Sequence, residues 1–256
     1  IFWAKMKNKT NQALLQKNFE IELQNRRLEE SNDALREFAY ASAHDLKEPL
    51  RNIGSFITLL QRRFGASFAP EAHEYMDYVN TGVRKMNKLL EDLLKYSTLV
   101  VDKQTMTIES ARLGEVLEEI KDTLQGTINA KNAQIEYTKA LPVLQMSRLH
   151  QTQLFQNLIS NALKFVEGTP IIKIDCQEND KNTLIRVADN GIGIKTEYST
   201  KVFKLFHRLN RDPQYEGTGV GLSICKNIVE KYNGKIWFES EENQGTTFFI
   251  QLPKAA

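Results

Sequence analysis

The first 48 residues contain neither proline nor glycine; the first proline is Pro49 and the first glycine Gly54. With the two strongest helix breakers absent, residues 10–64 read as one nearly continuous helix. Leu14, Ile21, Leu28 and Leu35 recur at heptad spacing, but the second core position of each heptad is polar (Asn18, Asn25, Asn32). That is a weak coiled-coil seam. Marginal stability suits a signalling connector that shifts register. An ordinary solvated amphipathic helix fits the same residues.

The pattern sharpens at Leu46. Leu46, Leu50, Ile53, Ile57, Leu60 and Phe64 alternate spacings of four and three. At about 100° per residue they fall within a narrow stripe. His44 lies roughly opposite, so the stripe is expected to pack and His44 to face outward. Pro49 cannot bond the Asp45 carbonyl, so a kink or bulge near His44 is expected. Residues 65–70 break the helix. A second helix is expected over 71–97, with Ala72, Met76, Val79, Val83, Met86, Leu90 and Leu93 on one face. Two such helices joined by a short loop form an antiparallel hairpin. One hairpin buries only one side of each stripe. A homodimer is therefore expected, with two hairpins pairing into a four-helix bundle.

Residues 99–108 read as a linker. Beyond them the character becomes mixed. Helices are expected over 113–130, 146–165 and 221–232, and strands over 134–139, 171–177, 184–189, 235–240 and 246–252. This order predicts an α+β sandwich with helices on one face of a mixed sheet. The 256 residues accommodate that domain beside the hairpin. Thirty-four basic against 32 acidic residues give a net charge of +2, so there is no electrostatic case for a nucleic-acid partner. Cys176 and Cys225 have no metal-ligand spacing and read as free thiols of a reducing compartment. No apolar run is long enough to span a bilayer. The chain starts at Ile1 rather than Met and is expected to be a fragment. Ile1-Phe2-Trp3 followed by Lys5, Lys7 and Lys9 fits the cytoplasmic end of a membrane anchor just before residue 1. It fits an arbitrary boundary equally well.

Four motifs carry chemistry, in this order: His44-Asp45, Asn157-x-x-x-Asn161-x-x-Lys164, Asp189-x-Gly191-x-Gly193, and Gly217-Thr218-Gly219-Val220-Gly221. A neutral imidazole nitrogen can act as a nucleophile, helped when the other ring N–H has an acceptor such as Asp45. Asn157, Asn161 and Lys164 share one helix face. Asparagines are poor helix formers, so two on one face suggest a purpose beyond solvation. Asp189 ends a strand, where a buried carboxylate can accept from a ligand's amino group. Gly191 and Gly193 let the backbone pass close to a ligand. Gly217, Gly219 and Gly221 precede a helix whose first N–H groups can meet phosphate. No Gly-Lys-Ser/Thr follows, so this is not a Walker loop. Taken singly, each motif also has a plain reading as a solvated helix charge, a polar helix face or a turn.

Taken together, residues 35–255 resemble a sensor histidine kinase of a two-component system. The run His44-Asp45-Leu46-Lys47-Glu48-Pro49-Leu50 is similar to the phosphoacceptor box of that family. The later motifs are similar to the N, G1, F and G2 boxes of its ATP-binding domain, which belongs to the superfamily of gyrase, chaperone and mismatch-repair ATPases. The resemblance implies a connector over 1–34, a dimerisation and phosphoacceptor hairpin over 35–98, a linker over 99–108 and a catalytic domain over 109–256. It makes Asp45 the orienting and proton-accepting partner of His44. It makes Asn157 a Mg²⁺ ligand through its amide oxygen, a chemistry that magnesium favours. Asn161 would line the phosphates, Lys164 would neutralise them, and Thr246 would stand near the adenine. Phe203-Lys204-Leu205-Phe206 and the following residues resemble the F box and ATP lid, with Phe203 and Phe206 expected to pack the lid. Arg208 and Arg211 read either as phosphate contacts or as solvated charges. His73, His150 and His207 read as structural.

The implied function is autophosphorylation of His44 from Mg-ATP, then transfer to an aspartate of a response-regulator receiver domain. The expected place is the cytoplasmic portion of a membrane-anchored sensor, with the sensor domain upstream. An ATP-driven conformational clamp is the alternative. Clamps carry a Glu four residues before the Mg-binding Asn, where this chain has Gln153, which cannot act as a general base. A non-catalytic scaffold would not need every box intact. Phosphatase activity in the family uses Thr or Asn four residues after the His. Glu48 stands there, so a net kinase is expected.

Overall fold

A computed structural model describes residues 2–101, 111–138, 141–208, 215 and 217–254. The chain divides into two compact units, Ile1–Val101 and Asp102–Ala256.

The first unit is two helices, α1 (Phe2–Phe64) and α2 (Pro70–Val101), joined through a 3-10 turn at Gly65–Ser67. Pro70 opens α2 at the first helical position, where a missing N–H costs nothing. The His73 ring nitrogen Nε2 lies 3.0 Å from the Gly65 carbonyl and ties the turn down. Two expectations need correction. α1 remains α-helical through Pro49, so of the kink or bulge expected near His44 the bulge is not formed. α2 runs on to Val101, so residues 99–101 are helix and not linker; residues 102–108 lie outside the described residues.

The antiparallel register is marked by Lys47–Glu91 at 3.5 Å, Gln61 to Asp77 at 3.2 Å and Asn80 to Gln61 at 3.3 Å. Ala43, Leu50 and Val83 are buried between the helices. A Cβ at Gly54 would lie 3.3 Å from Cγ1 of Val83, so the helices approach closely there. The apolar stripe splits. Leu50 is buried and Ile57 half-buried, whereas Leu46, Ile53, Leu60, Val79 and Met86 are exposed. One hairpin thus leaves a row of apolar side chains in water. In the connector stretch, Leu14, Ile21 and Leu28 are exposed; the side chains of Asn32 and Leu35 lie outside the described residues.

The second unit runs β1 (Ala111–Arg112), α3 (Leu113–Ala130), β2 (Gln134–Tyr137), β3 (Val143–Leu144), α4 (Arg148–Lys164), β4 (Ile171–Glu178), β5 (Asn182–Asp189), α5 (Gly221–Lys231), β6 (Lys235–Glu241) and β7 (Gly245–Pro253). α3 buries Leu113, Val116, Leu117 and Ile120, a helical spacing, and ends where Asn132 takes φ 51° and the Ala133 N–H reaches the Ile128 carbonyl. α4 starts two residues later than the expected 146, because Ser147 caps it by accepting the His150 N–H. The expected strand over 134–139 ends at Tyr137; residues 139 and 140 lie outside the described residues.

Five strands form a mixed sheet in the order β2-β4-β5-β7-β6, with β2 and β4 parallel and the other pairs antiparallel. α4 and α5 cover one face and α3 packs on α4. The core joins Ile172, Ile174, Ile185, Val187, Phe248 and Ile250 of the sheet to Leu154, Phe155, Leu158, Ile159 and Ile228 of the helices. This is the α+β sandwich with a mixed sheet expected above. β1 and β3 pair separately as a two-residue ribbon, which the sequence reading does not anticipate. No helix among the described residues is long and apolar enough to cross a membrane.

Candidate active site

In the first unit, buried Ala43 fixes the azimuth of α1 and leaves the neighbouring His44 pointing outward, its side chain 75% exposed. His44 Nδ1 lies 3.4 Å from Oδ1 of Asp45, a long contact between two exposed groups. With Nδ1–H facing that carboxylate, Nε2 carries the lone pair and faces away from it. Glu48, one helical turn on, is exposed, and Lys47 is engaged by Glu91.

The other motifs converge inside the second unit. At the end of β5, Asp189 Oδ1 accepts the N–H of Gly191 at 2.9 Å and that of Thr246 at 3.1 Å. One carboxylate oxygen is thereby committed to the backbone. Burial pushes the Asp189 carboxyl above its ordinary value, opposed by those two N–H bonds. The Gly191 backbone presses so closely on its surroundings that a Cβ would sit 2.3 Å from the Phe165 carbonyl. Gly193 has φ +72°, and a Cβ there would meet the Glu241 carbonyl at 2.1 Å. Neither position accepts another residue without moving the strand ends.

At the opposite end, the side-chain nitrogen Nδ2 of Asn157 donates to the carbonyl of Gly221 at 3.2 Å. The middle of α4 is thus joined to the start of α5. Asn161 and Lys164 are half-buried on the same face of α4. Lys164 Nζ lies 4.3 Å from the centroid of the Phe165 ring and 2.8 Å from where a Cβ of Gly217 would be. Cys225 is buried behind this point, its Sγ 3.7 Å from the Leu154 carbonyl, and burial pushes its thiol up to about 12. Cys176 is likewise a free thiol, raised by burial to about 11. Both stay protonated at neutral pH.

The segment between these ends differs in part from expectation. Phe203 packs on Phe238, with ring centroids 6.2 Å apart. Phe206 does not pack: it has φ 58° and is 48% exposed. Arg208 Nη2 donates to the Tyr215 carbonyl at 3.0 Å, and the buried Tyr215 ring lies 5.4 Å from that of Phe165. Arg211 lies outside the described residues. His150 bonds the Tyr232 hydroxyl at 2.8 Å, in keeping with a structural role. Ser240 and Tyr215 escape sequence reading. Ser240 accepts the Ile194 N–H at 2.8 Å and meets the Thr246 hydroxyl at 2.9 Å. No motif marks it.

The second unit therefore gathers a carboxylate held by two backbone N–H groups, an amide tied to the start of α5, and a lysine beside Gly217. The family described as "Histidine kinase-, DNA gyrase B-, and HSP90-like ATPase" matches residues 147–256, and the "His Kinase A (phospho-acceptor) domain" matches residues 34–100. The chain belongs to the sensor histidine kinases of two-component systems.

Relatives of this histidine kinase include the phytochrome-like protein Cph1 of Synechocystis sp., 36% identical over 89% of this chain and 30% of Cph1. Cyanobacterial phytochrome A of Nostoc sp. is 37% identical over 88% of this chain and 29% of its own length. The sensor protein kinase WalK of Staphylococcus saprophyticus is 32% identical over 85% of this chain and 36% of WalK. The chain thus spans only about a third of the length of these relatives. Among solved structures, the catalytic domain of the histidine kinase ThkA superposes with TM-score 0.52 at 28% identity, covering 59% of this chain and all of that one. Full-length ShkA in complex with AMPPNP shares the fold at TM-score 0.65 and 20% identity, over 86% of this chain and 47% of that one.

Proposed function

We propose that this chain phosphorylates its own kind at His44 from Mg-ATP and then serves as phosphodonor to an aspartate of a response-regulator receiver domain. The observation that carries the reading is the pairing, on one chain, of an outward His44 beside Asp45 with a cluster of Asp189, Asn157, Lys164 and the glycines Gly217, Gly219 and Gly221 in the second unit.

The free Asp189 oxygen accepts the adenine amino group, and Thr246 completes that end. Asn161, Lys164 and the first N–H groups of α5 face the phosphates. Magnesium fits the donor set. Asn157 has its amide nitrogen committed to Gly221, which leaves Oδ1 as an oxygen ligand of the kind magnesium takes, with phosphates and water completing the shell. The ion supplies charge neutralisation across the phosphates.

His44 Nε2 forms a bond to the γ-phosphorus as the bond to the β,γ-bridging oxygen breaks and ADP leaves. The imidazolium so formed passes its Nδ1 proton toward Asp45, leaving a neutral phosphohistidine. Onward transfer breaks the P–N bond and forms an acyl phosphate on the regulator. Dimerisation through the exposed face of the hairpin completes a four-helix bundle. The catalytic unit works on the cytoplasmic side, where ATP and the regulator are. A chain labelled by γ-labelled but not by α-labelled ATP is the expected result; label from both would mean nucleotidyl transfer and would sink the reading.

A further inference from the structure

Ser240, Thr246 and Asp189 stand side by side on β6, β7 and β5: Ser240 is directly opposite Thr246, and Thr246 is directly opposite Asp189. Thr246 is 7% exposed. The Ser240 hydroxyl has three polar neighbours: the Ile194 N–H at 2.8 Å, the Gly245 carbonyl at 2.7 Å and the Thr246 hydroxyl at 2.9 Å.

A serine hydroxyl has one proton and two lone pairs. The Ile194 N–H can only donate and the Gly245 carbonyl can only accept. At 2.7 Å the serine proton must lie between Oγ and that carbonyl, since two bare oxygens repel at that distance. Ser240 is then left able only to accept from Thr246. The threonine proton is drawn toward Ser240, and the threonine lone pairs are what remain for a ligand. Beside them is the Asp189 carboxylate, whose Oδ1 already takes two backbone N–H groups. The side chains of Asp189 and Thr246 are therefore both acceptors.

We propose that Ser240 is a specificity-determining positioning residue: by fixing the Thr246 hydroxyl as an acceptor, it makes the site read an amino donor on the purine six-ring and reject a carbonyl there. Adenine presents a donor at that position and guanine an acceptor. A site built from committed acceptors leaves guanine facing unpaired groups. The inference rests on the ATP reading above.

The test is equilibrium binding of Mg-ATP and Mg-GTP to the full chain, with melting temperature measured alongside. In Ser240→Ala the Thr246 proton is free to turn, and the ratio of GTP to ATP dissociation constants should fall about three- to tenfold, the weight of one hydrogen bond. Ser240→Thr, which keeps the hydroxyl, should keep the ratio. Thr246→Val should weaken ATP but not GTP, and it decides the matter if Ser240→Ala does not fold. Parallel weakening of both nucleotides, with the ratio unchanged in Ser240→Ala and Thr246→Val, overturns the inference while leaving the kinase reading intact. A wild type that binds neither nucleotide overturns both.

Discussion

The amide nitrogen of Asn157 donates to the carbonyl of Gly221 at 3.2 Å, so the second helix of the α+β unit is joined through this asparagine to the first residue of the last helix. On the proposed reading, the bond turns the amide oxygen toward the metal and the phosphates. Asn157→Asp loses the donor and sets a carboxylate against the Gly221 carbonyl. Autophosphorylation should fall by at least the 10- to 100-fold (roughly) typical of a disturbed metal shell. The magnesium concentration giving half-maximal rate should rise. A variant with normal magnesium dependence would remove Asn157 from the metal site.

On the proposed reading, Asp189 binds the base as an anion. Burial raises its pKa above 3.8, against the N–H groups of Gly191 and Thr246. Protonation on acidification therefore sets in at a higher pH than for an ordinary aspartate. ATP affinity should weaken there, and binding at acidic pH should release a proton. Asp189→Asn should abolish this acid limb and weaken ATP at neutral pH by about 10- to 100-fold, the scale of a hydrogen bond to a charged group. An acid limb that survives in Asp189→Asn would assign it elsewhere.

Glu48 is exposed one turn beyond His44. A carboxylate there repels the anionic phosphoryl group of a phosphorylated aspartate and is longer and more charged than the Thr or Asn that would place a water, so the wild type should act as a net kinase. Glu48→Thr should gain phosphatase activity toward a phosphorylated receiver domain with autophosphorylation retained. Robust dephosphorylation by the wild type would refute this.

Ile53 and Leu60 are exposed on the hairpin although their spacing is that of a core. On the proposed reading, a second copy covers them. Ile53→Asp should leave the helical content of the hairpin intact and shift the chain from dimer to monomer in sedimentation. A dimer that survives both Ile53→Asp and Leu60→Asp would place the interface elsewhere.

Much of this architecture is legible in the sequence, for local reasons. Leu113, Val116, Leu117 and Ile120 show α3 by spacing alone, and Asn157, Asn161 and Lys164 declare a shared face in the same way. The stripe from Leu46 to Phe64 shows the limit. Periodicity says which residues share a face, not that Leu50 meets α2 while Ile53 stays exposed. The ribbon of β1 and β3 is too short to carry a period. Phe206 looks like a packing residue until its left-handed backbone turns it outward. Ser240 is invisible because its role comes from the register of β6 against β7, which tertiary pairing sets.

The most direct measurement is autophosphorylation with γ-labelled ATP and Mg²⁺, comparing wild type with His44→Gln and testing the product in acid and alkali. The account predicts acid-labile, alkali-stable label on the wild type and none on His44→Gln. Label that persists in His44→Gln, or an unlabelled wild type that nevertheless binds ATP, would contradict it.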